Sequence, residues 1–166
     1  KRCLVGSEMC IRDRPITIKC RIGVDDMDEV KGLDNFIDQV SAEGVKLFVI
    51  HARKAMLNGL SPKQNREIPP LDYNRVGALK KRRADLKIII NGGIKSIQEG
   101  QNLVEQYSLD GFMIGREAYK NPYILSAVDK IVLNKEKIKT RYQIAMKIAD
   151  YIDEFVKNDE GNVHSV

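Results

Sequence analysis

Ile88-Ile89-Ile90-Asn91-Gly92-Gly93-Ile94 is the stretch whose reading decides the fold. Three consecutive β-branched residues predict a strand buried on both faces, and the paired glycine ends it at once. Ser96 and Glu99 stand at capping-box spacing ahead of a helix, so the stretch reads as strand, tight turn and helix N-terminus. Backbone amides at such a start attract phosphate or another anion. A second unit repeats the plan: Gly111-Phe112-Met113-Ile114 predicts a short strand, with Gly115-Arg116-Glu117 directly after it. Two neighbouring strands thus end in glycine, and the second adds a guanidinium. In (β/α)8 barrels a phosphate often sits at the loops after the seventh and eighth strands, which makes this pair a candidate phosphate cup. Two ordinary β-to-α turns, using glycine for steric reasons alone, are the other reading of the same residues.

The same βα rhythm extends upstream. Ile16 to Ile22 alternates as a strand, ended by Gly23 and the acidic turn Asp25-Asp26, and Lys19 and Arg21 point to one side of it. Val30, Leu33, Phe36, Ile37 and Val40 recur at helical spacing up to Gly44. Lys46 to Ile50 predicts the next strand, with His51-Ala52-Arg53-Lys54 at its C-terminal end. A long connection, Ala55 to Leu71, comes next, and loops of that length inside a compact unit are usually functional or disordered. A helix from about Tyr73 to Arg83 leads into the Ile88 strand. Four successive βα units predict a parallel sheet, the α/β class, and half of an eightfold TIM barrel. Every candidate polar residue falls at a strand's C-terminal end, where such barrels keep their chemistry. Beyond Asn121-Pro122 the pattern is helical only. Its two apolar stripes, Tyr123 to Ile131 and Ile144 to Phe155, predict core or helix-packing surface rather than a cofactor site.

At 166 residues and 43% hydrophobic, the chain has the size and composition of one ordinary globular domain. Its net charge of +5 fits a polyanionic partner and equally fits enzymes unrelated to nucleic acid. Lys80-Lys81-Arg82-Arg83, the densest basic run, reads as the solvated, dipole-complementing end of a helix. No apolar stretch reaches the roughly 18 residues that span a bilayer and nothing resembles a signal peptide, which predicts a cytoplasmic protein without membrane association. Cys3, Cys10 and Cys20 are too few and too irregular for a disulfide framework or a zinc site, so no metal is expected. Residues 1–14 match neither the composition nor the period of the rest of the chain; they read as translated linker and are set aside as a non-native or unstructured extension. His164, near the C-terminus, reads as incidental.

Lys19-Cys20-Arg21-Ile22-Gly23, His51-Ala52-Arg53-Lys54, Asn91-Gly92-Gly93-Ile94 and Gly115-Arg116-Glu117-Ala118 stand in the order and approximate spacing of the tRNA-dihydrouridine synthases. The run from Gly59 to Tyr73 resembles the A subfamily, which modifies the D-loop of tRNA. The resemblance covers about Pro15 to Val163. It implies an FMN-dependent oxidoreductase that takes hydride from NADPH and gives it to C6 of a uracil in tRNA. Carried over by position, Lys19 and His51 contact the flavin ring, while Asn91, Gly92, Gly93, Gly115 and Arg116 hold the FMN phosphate and ribityl chain. Arg21 and Arg53 lie toward the uracil or its flanking phosphates. A cation beside the N1–C2 edge of the ring suits Lys19, and a bidentate guanidinium with helix-start amides suits a phosphate.

Without the resemblance, Lys19 reads as a strand lysine reaching solvent or a carboxylate, and His51 as a hydrogen-bonded structural histidine. Arg21 and Arg53 then pair with Asp25, Asp26 or Glu67 at the rim, and for these two arginines both readings stay open. The resemblance also places the family's general acid, a cysteine that protonates C5, in an N-terminal half-barrel absent from this sequence. Cys20 does not match that motif, so no catalytic residue is assigned. Residues 15–120 correspond to the FMN-binding half-barrel and 121–166 to the start of a helical tRNA-binding domain. A half-barrel leaves its outer strands open, which predicts self-association through the sheet edges and no turnover by this chain alone. Another FMN barrel, such as a dihydroorotate dehydrogenase-like enzyme, and a non-catalytic RNA-binding module are the competing readings.

Overall fold

A computed structural model describes residues 15–136 and 138–158. The readings of 1–14 and of His164 lie outside these residues. Four strands, β1 (Thr17–Arg21), β2 (Leu47–His51), β3 (Lys87–Asn91) and β4 (Gly111–Met113), form one sheet in the order β1-β2-β3-β4. All three pairings are parallel. Helices α1 (Glu29–Ala42), α2 (Tyr73–Arg82) and α3 (Ile97–Tyr107) make the crossovers. Each crossover lays the next strand beside the last, the winding of a (β/α)8 barrel, and four units are half of its complement.

The predicted strand at Ile88 is only in part as expected. Ile88 and Ile90 are fully buried, whereas Ile89 on the opposite face is half-buried. The period of two explains the difference. Ile88 and Ile90 pack with Phe48 and Ile50 against Leu33 and Ile37 of α1, Val76 and Leu79 of α2 and Leu103 of α3. Ile89 belongs to the face that no helix covers among the described residues, the face that carries Lys19, Arg21, His51 and Asn91.

Local signals set the helix ends. The Asp28 carboxylate accepts from the backbone N–H groups of Val30 and Lys31, both at 2.8 Å, and Asp72 accepts from that of Arg75 at 2.9 Å. Gly44, at φ +99°, turns the chain out of α1. The capping box of α3 forms with one change of partner. Ser96 Oγ accepts from the Glu99 N–H, but the Glu99 carboxylate accepts from the Lys95 N–H at 2.8 Å rather than from Ser96. Part of the amide supply at this helix start is therefore consumed by its own cap.

Three of the four cations in the basic run at the end of α2 are paired. Lys80 Nζ meets Asp110 at 2.8 Å, Arg82 reaches Asp34 and Asp38, and Arg83 joins Asp38 to Asp85. A buried guanidinium, Arg75, sits nearby; it donates to Asp34 at 2.5 Å and to the Val30 carbonyl at 3.0 Å. These ties lock α1 to α2 across the outer layer.

After β4 the chain is helical, as expected: α4 (Arg116–Lys120), a 3-10 turn (Pro122–Leu125), α5 (Ser126–Ile131) and α6 (Arg141–Asn158). The expected packing role of the second apolar stripe is not met within the described residues. Ile148, Tyr151, Ile152 and Phe155 are exposed. The reason is that α6 meets its neighbours near its start, where Arg141 stacks over the Tyr123 ring at 4.6 Å and donates to Asn121 at 3.2 Å. Among the described residues, no helix is long and apolar enough to cross a membrane.

Candidate cofactor and anion site

Parallel register brings the candidate residues together. Arg21, His51, Asn91 and Met113 occupy one row across the C-terminal ends of the four strands, and Lys19, Val49, Ile89 and Gly111 the like-facing row one step below. Side chains of alternate residues share a face, so Lys19 and the upper row project from the same side of the sheet. The two corners are tied directly: Asn91 Nδ2 donates to the Met113 carbonyl at 2.9 Å, joining the end of β3 to the end of β4.

The turn after β3 requires its glycines. Gly92 and Gly93 have φ of +113° and +71°. A Cβ on Gly92 would lie 2.6 Å from His51 Cδ2, and one on Gly93 would lie 2.4 Å from Leu71 Cδ1. The Gly92 carbonyl accepts from Tyr73 Oη at 2.7 Å, which fixes the turn from the α2 side. At Gly115 a Cβ would meet nothing within 4 Å, so this corner contributes open space.

These corners close on a cavity of about 440 Å3, within the roughly 300–1,000 Å3 of small-molecule sites. Lys19, His51, Asn91, Gly92, Gly93, Gly115 and Arg116 all line it, as does Arg53. Arg21 lines an adjoining cavity of about 560 Å3 that shares His51 and Arg66 with the first. A larger cavity of about 680 Å3 lies among the 3-10 turn, α5 and α6, and none of the expected site residues line it. Sequence reading did not single out Arg66 or Lys95, which also border the 440 Å3 cavity. Lys95 directly follows the Asn91–Ile94 motif; for Arg66, inside an irregular loop, no periodic signal existed.

The two arginines left open are loop anchors. Arg21 Nη1 donates to the carbonyls of Lys54 at 2.6 Å and Asn65 at 3.0 Å. Arg53 Nη1 donates to the carbonyls of Glu67, at 2.8 Å, and Pro69. The expected carboxylate partners Asp25, Asp26 and Glu67 are replaced by main-chain oxygens, because the 55–71 loop folds its backbone over the strand ends. Arg53 Nε is buried without a hydrogen-bond partner. Buried Asn65 organises the loop from inside: its Oδ1 accepts from the Met56 N–H at 2.7 Å, and its Nδ2 donates to the Met56 carbonyl at 2.6 Å.

Charge on the cavity wall is one-sided. Lys19, Arg53, Arg66, Lys95 and Arg116 line it against a single lining carboxylate, Glu117. Such a wall concentrates anions. Burial lowers the Lys19 pKa, and Arg21 lowers it further. Burial together with Arg21, Lys19, Arg53 and Arg116 pushes His51 down to about 4, so its ring is neutral at pH 7. Cys20 lies on the other side of β1 against the core, and burial pushes its thiol up to about 11.

The His51 shift carries a pH dependence. Unfolded His51 takes up a proton below its ordinary value of 6.5, whereas folded His51 does so only near 4, so the unfolded state binds more protons between these limits. This term therefore erodes stability as pH falls from about 6.5 to 4 and levels off below. Urea unfolding of the intact protein beside a His51→Asn variant checks this: the variant's stability relative to the parent rises across that window. A difference that stays constant with pH contradicts the assignment.

Two strand-end corners thus face one cationic, ligand-sized cavity at the C-terminal rim of a parallel βα sheet, the rim at which (β/α)8 barrels keep their chemistry. The chain belongs to the dihydrouridine synthase family, whose model matches residues 10–165. It is 49% identical over 142 residues to a tRNA-dihydrouridine(20/20a) synthase of Shewanella oneidensis, covering 85% of this chain and 42% of that protein. With the enzyme of the same name from Vibrio vulnificus it shares 49% over 148 residues, covering 88% and 45%. With that of Escherichia coli O6:H1 it shares 50% over 139 residues, covering 77% and 41%. The chain thus spans less than half the length of these curated relatives. The family resemblance read from the motifs holds, and a dihydroorotate dehydrogenase-like barrel is set aside.

Proposed function

We propose that the intact protein is a flavin-dependent tRNA-dihydrouridine synthase, reducing uridine in the D-loop with FMN as cofactor and NADPH as hydride donor. In this reading residues 15–120 supply the half of the barrel that holds FMN, and 121–166 begin the tRNA-binding helical region. One observation carries it: the seven residues expected to hold the cofactor, drawn from four strand ends, line a single cationic cavity. The fit is chemical as well as spatial. The open space beside Gly115 and the five lining cations suit a phosphate, and the unpartnered Arg53 Nε supplies a further donor.

When bound, FMN supplies the hydride that reduces the C5–C6 bond of uracil. Lys19 holds a positive charge at the end of β1, beside the flavin ring in this reading. His51, neutral at pH 7, offers a hydrogen-bonding ring without adding charge. Asn91 keeps the two corners joined, the paired glycines let the backbone approach closely, and Arg116 binds the phosphate. Arg21 and Arg53 hold the 55–71 loop by its carbonyls and keep their charge at the rim, where the uracil and its flanking phosphates arrive. No general acid is assigned to this chain: Cys20 packs against the core and does not line the cavity. The outer edges of β1 and β4 pair with no strand among the described residues, and this chain alone associates through them.

Flavin titration tests the cup. Arg116→Ala in the intact protein weakens FMN binding about 10- to 100-fold, the size of a charge-assisted pair of hydrogen bonds. Unchanged affinity removes Arg116 from the phosphate and takes the cup reading with it.

A further inference from the structure

Arg116 is already engaged at the mouth of the cup. Its Nη1 pairs with Glu67 Oε1 at 3.1 Å, and its Nη2 donates to the Arg66 carbonyl at 3.4 Å. Both partners of the ion pair are about half exposed, at 50% and 54%. Glu67 lies in the 55–71 loop, and its own carbonyl accepts from Arg53 Nη1 at 2.8 Å. One loop residue therefore gives its carboxylate to the arginine of the phosphate corner and its carbonyl to an arginine of the β2 end. A phosphate needs the same guanidinium edge that the carboxylate holds, and the carboxylate's charge opposes its approach.

We propose that Glu67 is a built-in counter-ion of Arg116, displaced when a phosphate enters the cup, so that loading the cup releases one tie between Arg116 and the 55–71 loop. The proposal rests on the phosphate-cup reading given above. Glu67 acts through Arg116 and is a positioning residue; it is not among those that line the cavity. An exposed ion pair is weak, so the displacement is reversible and costs the phosphate only a small part of its affinity. By linkage, whatever removes Glu67 from Arg116 tightens phosphate binding, and phosphate frees the loop contact by the same factor.

Two flavins that differ only in the phosphate provide the test. The intact protein, freed of flavin, is titrated with FMN and with riboflavin as the parent, Glu67→Gln, Arg116→Ala and the double variant. Glu67→Gln is expected to tighten FMN about two- to fivefold, the worth of one exposed ion pair, and to leave riboflavin unchanged. On the Arg116→Ala background the same substitution has no effect on either ligand. If the parent holds FMN no more tightly than riboflavin, the cup itself is refuted, and the counter-ion with it. If FMN is favoured but Glu67→Gln leaves its affinity unchanged or weakens it, shifts both flavins alike, or acts equally without Arg116, the counter-ion proposal fails and the cup stands.

Discussion

Arg75→Ala lowers the unfolding free energy of the intact protein by about 3–5 kcal/mol, the range for breaking a buried ion pair. The Arg75 side chain is only 7% exposed, and it holds Asp34 at 2.5 Å and the Val30 carbonyl at 3.0 Å. Truncation leaves a hole at the start of α2, an α1 carbonyl without its donor and a carboxylate short of one cation. Arg82 Nε stays 3.2 Å from the other Asp34 oxygen, which puts the loss toward the lower end of that range. Arg75→Met, which restores volume without charge, recovers only the packing part of that loss and still leaves Asp34 short of its cation, so most of the loss remains. Chemical denaturation with a constant m-value measures both, and a loss near zero for Arg75→Met means that packing, not the ion pair, holds this corner. Flavin affinity provides the control, since Arg75 lines neither cavity at the strand ends.

Asn65→Ala opens the 55–71 loop. A single buried amide serves the Met56 N–H at 2.7 Å, the Met56 carbonyl at 2.6 Å and the Leu60 carbonyl at 3.2 Å. Alanine strands these main-chain groups at about 1–3 kcal/mol for each one left buried, more than a surface loop withstands before it detaches. The expected results are rapid limited proteolysis between residues 55 and 71 and loss of hydrogen-exchange protection at Met56. Because Arg53 leans on the Glu67 and Pro69 carbonyls it loses both anchors with the loop, whereas Arg21 loses that of Asn65 and keeps that of Lys54. A variant whose loop is cleaved no faster than the parent's shows that the two arginines hold the loop without Asn65.

Strong local periodicity makes most of the fold legible. The four strands and the helices between them arise from alternation, helical spacing and capping residues, each a signal carried within about a dozen residues. The candidate site residues come together because parallel register converts four separate strand ends into one rim. Arg75 is invisible to such reading: a lone arginine near a helix start normally faces water, and its burial is tolerable because Asp34, 41 positions upstream, and the Val30 carbonyl accept from it. Asn65 is equally hidden, because its role depends on how an irregular loop closes over it. Ile89 and the α6 stripe depart from expectation for a common reason. Residue type states that a side chain favours burial, whereas only the assembled neighbours decide whether anything is there to cover it.

The pairing of Lys80, Arg82 and Arg83 with four aspartates leaves charge unevenly spread over the described βα units. Within the βα units, those aspartates offset three cations at the tail of α2, while the wall formed by Lys19, Arg53, Arg66, Lys95 and Arg116 holds five cations against one acid. Charge over the described βα units is thus lopsided, and its field draws an approaching anion toward the C-terminal ends of the strands.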